Sequence, residues 1–160
     1  MKQVILIHAH KDLEQLNALI GQLAHDDFII YVNVDAKSAL DVTRISPAAR
    51  LVRQRIAVHW GDWSQVRATL NSLAEIVDGV PEFDKVVFIS AQDFPLLSND
   101  ALKQALDDAR SSELLECAAL GPDGWACQER YQYFYLQRGG RFSRLACKMM
   151  MRAMQSLGLR

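Results

Sequence analysis

The sequence predicts an α/β domain built on a mainly parallel sheet with helices on both faces. Three observations carry that prediction. Short, nearly continuous apolar runs recur at residues 4–7, 28–35 and 86–89, as strands buried on both faces require. Stretches with apolar residues at helical spacing separate them, giving the alternation β-α-β-(α)-β-α-β-α-β. Each run ends in a polar corner, at His8-Ala9-His10-Lys11-Asp12, Asp35-Ala36-Lys37-Ser38 and Ser90-Ala91-Gln92-Asp93. In open α/β sheets that carboxyl edge is where ligands bind.

Taken in order, residues 4–7 read as a central strand. Asp12 can then cap a helix whose apolar positions are Leu13, Leu16, Leu19, Ile20 and Leu23. The second strand finishes in Asp35, and a right-handed crossover brings His8 and Asp35 to the same edge of the sheet. Residues 36–55 form a connection in which Ser46-Pro47 can open one or two helical turns, followed by a basic patch at Arg50, Arg53 and Arg55. A short strand is expected at 56–59. Next, Asp62 and Gln65 have the spacing of a capping box, and Val66, Leu70, Leu73, Ala74 and Val77 make an apolar stripe of the kind a packed helix buries. Asp78-Gly79 ends that helix.

The run at 85–97, K-V-V-F-I-S-A-Q-D-F-P-L-L, combines a buried strand with an aspartate at its end. Pro95 disfavours α conformation at Phe94 and stops the strand, which presents the Asp93 carboxylate at the sheet edge. Asp93 therefore either caps a turn or lines a site. Ser98 caps a further helix carrying Leu102, Ala105, Leu106 and Ala109. A strand is expected at 113–120, a turn at 121–124, and an aromatic-rich strand or loop from Trp125. Residues 138–160 hold six basic residues and no acidic one. On a helix, Phe142, Leu145, Met149, Ala153 and Leu157 fall on one side, with Arg141, Arg144, Lys148 and Arg152 largely on another. Such a helix either packs its apolar side on a core or makes a peripheral membrane contact through 141–157.

Composition narrows the function classes. In 160 residues, 18 basic side chains face 19 acidic ones, so no global field favours nucleic acid. Three cysteines without CxxC spacing argue against a disulfide framework or zinc ribbon and for a reducing, cytoplasmic compartment. No apolar run reaches the ~20 residues that span a bilayer, and the first residues read as a strand rather than a signal peptide. Without a repeat or a Gly/Ser-rich linker, residues 1–160 read as a single domain. G-x-S-x-G, H-E-x-x-H, the P-loop and G-x-G-x-x-G do not occur. His8 and His10 have no third partner at metal-ligand spacing, so no metal site is expected. A phosphoryl-transfer receiver would need an acidic pair near the first strand, where His8-Ala9-His10 stands.

Four blocks remain: I-H-A-H-K-D (7–12), Y-V-N-V-D-A-K-S (31–38), W-G-D-W-S-Q-V-R-A-T-L (60–70) and I-S-A-Q-D-F-P-L-L-S (89–98). In order and spacing they resemble the amino-terminal half of the core-2/I-branching β-1,6-N-acetylglucosaminyltransferase family, which includes the peptide-O-xylosyltransferases. The E-R-Y-Q-Y segment at 129–133 is similar to that family's acceptor side.

The resemblance implies a GT-A type nucleotide-sugar-binding domain. It implies an inverting, metal-independent glycosyltransferase that moves a sugar, N-acetylglucosamine or xylose, from a UDP-sugar to a glycan or other hydroxyl acceptor, with no further cofactor. The single carboxylate of Gln92-Asp93-Phe94 fits that metal independence, because holding a divalent ion against a diphosphate wants two. By position in the family, His8, Asp35, Lys37, Trp63 and Asp93 would line the donor site, with Arg130 and Tyr131 facing the acceptor. The family's catalytic glutamate and its diphosphate-gripping basic residues belong to a carboxyl-terminal half with no counterpart before Arg160. The chain therefore reads as the donor-binding portion of a longer enzyme, inactive alone. The alternative is a non-catalytic sugar-nucleotide-binding module.

Overall fold

The computed structural model describes residues 2–114, 149–150, 152–154 and 156–157. The chain divides into two compact units, Met1–Glu113 and Leu114–Arg160. The strand expected at 113–120, the aromatic segment from Trp125, and Arg130 and Tyr131 lie, apart from residues 113–114, outside the described residues. In the second unit residues 149–150, 152–154 and 156 are helical, and Met149, Ala153 and Leu157 are exposed.

The first unit holds β1 (Gln3–Ala9), α1 (Leu13–Gln22), β2 (Phe28–Val34), β3 (Ala49–Leu51), α2 (Ser64–Gly79), β4 (Val86–Ser90) and α3 (Asn99–Asp108), with a 3-10 turn at Val42–Arg44. The strands form one four-stranded sheet in the order β3-β2-β1-β4, and every pairing is parallel. The α/β architecture is the one the sequence predicts. β1 is central because both of its faces are apolar. Ile5, Ile7 and Ala9 pack with Leu16, Leu19, Ile20 and Leu23 from α1 and its end, and with Leu106 of α3. Val4 and Leu6 on the opposite face pack with Tyr31, Val52, Ile76 and Val80. The period-2 alternation thus puts α1 and α3 on one side of the sheet and α2 on the other.

The predicted caps of α1 and α3 form. Asp12 takes a left-handed backbone (φ 60°) and its Oδ1 accepts from the Gln15 amide at 3.0 Å. Ser98 Oγ accepts from the Ala101 amide at 3.3 Å.

Several local expectations are corrected. Ser46-Pro47 does not open helical turns. The Ala49 amide bonds back to Ser46 O at 3.1 Å, closing a turn into β3, and the local helical turn lies earlier, where Asp41 caps Val42–Arg44. Residues 56–59 are not a strand. The chain there is tied by side chains instead, with Val58 N donating to Asp35 Oδ1 and His59 N to Ser64 Oγ. β4 is not buried on both faces, since it is an edge of the described sheet and Phe88 is 51% exposed.

Of the α2 stripe only Leu73 packs against the core, half-buried; the fully buried face is another one. Ala68, Ser72 and Ile76 face the sheet, while Val66, Leu70 and Val77 are exposed. Small residues win that face because a hydrogen bond requires close approach. Asn33 Nδ2 on β2 donates to Ala68 O at 3.1 Å and to Ser72 Oγ at 2.6 Å. A leucine at either position would hold the helix too far away.

Candidate functional site

At the carboxyl ends of β1, β2 and β4 the sheet's α2 face changes from apolar to polar. Strand register places Asn33, His8 and Ser90 side by side across the three strands, directly beyond the apolar row of Tyr31, Leu6 and Phe88. The first turns of α2 and the loop before it roof this row. Between them lies a cleft of about 690 Å³ whose walls include His8, His10, Asn33, Asp35, Lys37, Trp60, Gln65, Phe88, Ser90 and Asp93. That size suits a nucleotide-scale ligand, and the position is the one where open α/β sheets bind them.

His8 is held on two sides in the cleft. Phe88 meets its ring edge-on, with centroids 4.6 Å apart. Gln65 Nε2 lies 3.1 Å from Nδ1, and Nε2 of the imidazole is buried without a partner among the described residues. Burial lowers the His8 pKa from 6.5 to about 4, because the charged ring would lose hydration that nothing here replaces. At neutral pH the cleft therefore contains a neutral imidazole.

Asp35 organises two loops. Its Oδ1 accepts from the Lys37 amide at 2.8 Å and from the Val58 amide at 3.2 Å, while Lys37 Nζ stands 4.0 Å from Oδ2. Arg55 fixes the same strand end, donating to Val34 O and Asp35 O at 3.1 Å each. Asp93 makes the turn contact that a lone strand-end aspartate commonly makes, with Oδ2 accepting from the Ser90 amide at 2.7 Å. That bond ends β4 at Ser90, before Pro95 is reached. Its second oxygen, Oδ1, is not used in this turn, and Asp93 also lines the cleft.

Of the expected donor-side residues, the structure brings His8, Asp35, Lys37 and Asp93 to one cleft. Trp63 is not among the lining residues. It precedes Ser64 as the first residue outside α2 and is 64% exposed, whereas Trp60 lines the cleft. Sequence reasoning passed over Asn33, Gln65, Ser90 and Arg55. Gln65 read as half of a capping box with Asp62. In the structure Asp62 Oδ1 receives the Ser64 amide and hydroxyl, and Gln65 turns to His8. The available signal was periodicity: alternation from Leu6 and Tyr31 carries directly to His8 and Asn33. Among the described residues no group of three or more His, Cys, Asp or Glu could hold a metal ion, and no helix is long and apolar enough to cross a membrane.

A parallel sheet with a polar cleft at its carboxyl edge, flanked by the four sequence blocks, matches a known family. The family model described as Branch, Core-2/I-Branching enzyme, covers residues 5–155, and the chain belongs to this glycosyltransferase family. Its relatives include xylosyltransferase 1 of Homo sapiens, 27% identical over 120 residues that make up 71% of this chain and 12% of the relative. A xylosyltransferase of Ciona intestinalis is 24% identical over 119 residues, 71% of this chain and 14% of the relative. Xylosyltransferase 2 of Canis lupus familiaris is 25% identical over 121 residues, with the same coverage of 71% and 14%. The matched stretch thus spans only a small part of these relatives.

Proposed function

We propose that this chain is the donor-binding part of an inverting glycosyltransferase that takes a sugar from a UDP-sugar and passes it to an acceptor hydroxyl. The observation that carries the reading is the cleft itself, where a partly buried neutral imidazole, two strand-end aspartates and Lys37 converge at the carboxyl edge of a parallel sheet. Asp35 and the His8 corner hold the uridine, and Asp93 stands beside the donor sugar. Xylose and N-acetylglucosamine are the proposed sugars. N-acetylglucosamine follows from the sequence resemblance, and xylose is supported by the relatives named above, which are xylosyltransferases. A reaction without a metal ion is part of the proposal, supported by the single carboxylate of Gln92-Asp93-Phe94.

In such a displacement a carboxylate takes the acceptor proton and cationic groups stabilise the departing diphosphate. Asp35 and Asp93 are poor choices for the base, since each already commits an oxygen to backbone N–H groups. That commitment also supports the second reading, a sugar-nucleotide-binding module without catalysis. Calorimetric titration with UDP, followed by an assay for UDP release from UDP-xylose and UDP-N-acetylglucosamine, tests both. The donor-binding reading expects saturable binding at up to millimolar UDP. Absence of binding sinks it, and binding by a longer chain that never turns over favours the module.

A further inference from the structure

We propose that the outer face of α2 is a docking surface for a second copy of this chain, joined as an antiparallel, two-fold helix pair centred on Leu70. The inference does not depend on the donor-site reading.

A helix turns about 100° per residue, so Trp63, which has helical backbone angles, falls with Val66, Leu70, Ala74 and Val77 inside an arc of about 80°. Ala68, Ser72 and Ile76, which face the sheet, lie on the opposite side. The arc is apolar along about 21 Å of helix. All five of its residues are exposed, Leu70 at 53% and Val77 at 62%. A packed helix turns such a stripe inward, and one turned to solvent marks an interaction surface. The stripe also gives Trp63 a place, at its end and outside the cleft.

The spacing selects the occupant. Around Leu70 the stripe is symmetric, with Val66 and Ala74 four residues to either side and Trp63 and Val77 seven. An antiparallel copy therefore sets Leu70 against Leu70, each Val66 against Ala74 and each Trp63 against Val77. Every wide side chain meets a narrower one, and the same contact is made twice, as a two-fold interface requires. Charge agrees with this arrangement. Arg67 and Asp78 are exposed on one flank of the stripe, and the two-fold brings that flank against its own copy in reverse order, turning each Arg67 toward the other copy's Asp78. The helix dipoles are then opposed. One helix from each copy buries less than the ~1,600 Å² of a standard interface, so the dimer is weak, with Kd on the order of 10–100 µM.

Sedimentation velocity of the 160-residue chain from about 10 µM to about 1 mM is the test, and the average mass should rise toward that of two chains. Leu70→Glu and Leu70→Lys each set like charges across the two-fold and should weaken association at least about tenfold. Mixed in equal amounts, the two variants should associate again, because glutamate then faces lysine. Circular dichroism checks that they fold, and Val77→Asp, on the same stripe, should weaken association likewise if a Leu70 variant does not. An unsubstituted chain that stays monomeric overturns the proposal and leaves the stripe to another protein or to a further segment of a longer chain. Association that survives these substitutions overturns it as well, since another surface then joins the copies. Leu70 variants that stay apart when mixed overturn the two-fold pairing.

Discussion

The Asn33 side-chain amide donates to Ser72 Oγ at 2.6 Å and to Ala68 O at 3.1 Å, joining the second strand to the helix that roofs the cleft. Both residues are buried, and Ser72 Oγ itself donates to Ala68 O at 2.8 Å. The position of Gln65 over His8 depends on this bracket.

Removing Asn33 deletes both of its bonds, while removing Ser72 leaves Asn33 bonded to Ala68 O. Asn33→Ala should therefore destabilise the fold by about 1–3 kcal/mol, and Ser72→Ala by less, about 0.5–1.5 kcal/mol. Urea denaturation of the two variants gives the order, and a reversed order would remove the bracket from the account of α2.

Asp35 has a structural and a binding task that two substitutions separate. Asparagine keeps an oxygen for the Lys37 and Val58 amides, so Asp35→Asn should fold like the unsubstituted chain and lose only the charge. Asp35→Ala should lose the loop contacts as well and weaken UDP binding by about tenfold, or ~1.4 kcal/mol. Unchanged affinity in the alanine variant would take Asp35 out of the donor site.

For Asp93 the turn bond is expected to survive in Asp93→Asn, whose side-chain oxygen can still accept from the Ser90 amide. Folding should then be unaffected, while the proposed transferase activity, assayed in a longer chain, falls. Equal turnover would reduce Asp93 to the residue that closes the turn after β4.

Acid should weaken this fold through His8. An unfolded His8 takes up its proton near pH 6.5 and the folded one near pH 4. Between these values the unfolded chain binds more protons, so stability is complete above about pH 6.5 and falls as the pH drops toward 4. The ring is only partly buried, so the contribution is about 1–2 kcal/mol, below what the full shift would convert to. His8→Leu should flatten this part of the pH dependence in thermal melts.

The two faces of α2 should respond differently. Leu70→Glu lies on the exposed stripe and should change stability by no more than about 0.5 kcal/mol. Ile76→Ala opens a cavity beneath the helix and should cost about 2–5 kcal/mol. Comparable losses at both sites in chemical denaturation would return the apolar stripe to the core.

The parallel strands at 4–7 and 28–35 were legible because a strand buried on two faces has few polar positions, and its polar end is conspicuous; the run at 86–89 is just as apolar, although β4 is a half-exposed edge strand. The α1 stripe was equally plain, since Leu16, Leu19 and Ile20 at helical spacing have only one sheet to cover. On α2 the same rule chose the wrong face. Hydrophobicity favours Val66 and Leu70, yet helix–sheet distance is set by the smallest residues at the contact, here Ala68 and Ser72 around the Asn33 amide. Trp60 and Trp63 were indistinguishable for a similar reason, because which side of a loop faces a cleft depends on loop geometry.

By itself the sequence determined the α/β class, the parallel strands, the caps at Asp12 and Ser98, and the edge at which His8, Asp35 and Asp93 stand. Those properties follow from local propensity and from a hydrophobic period measured along the chain. Tertiary structure alone decided which neighbours these groups meet: Gln65 on His8, Val58 on Asp35, the Ser90 amide on Asp93. Each is a contact between segments, or across a turn, formed only when β1, β2 and β4 are in register and α2 is held close by Asn33. No period along the chain encodes that distance.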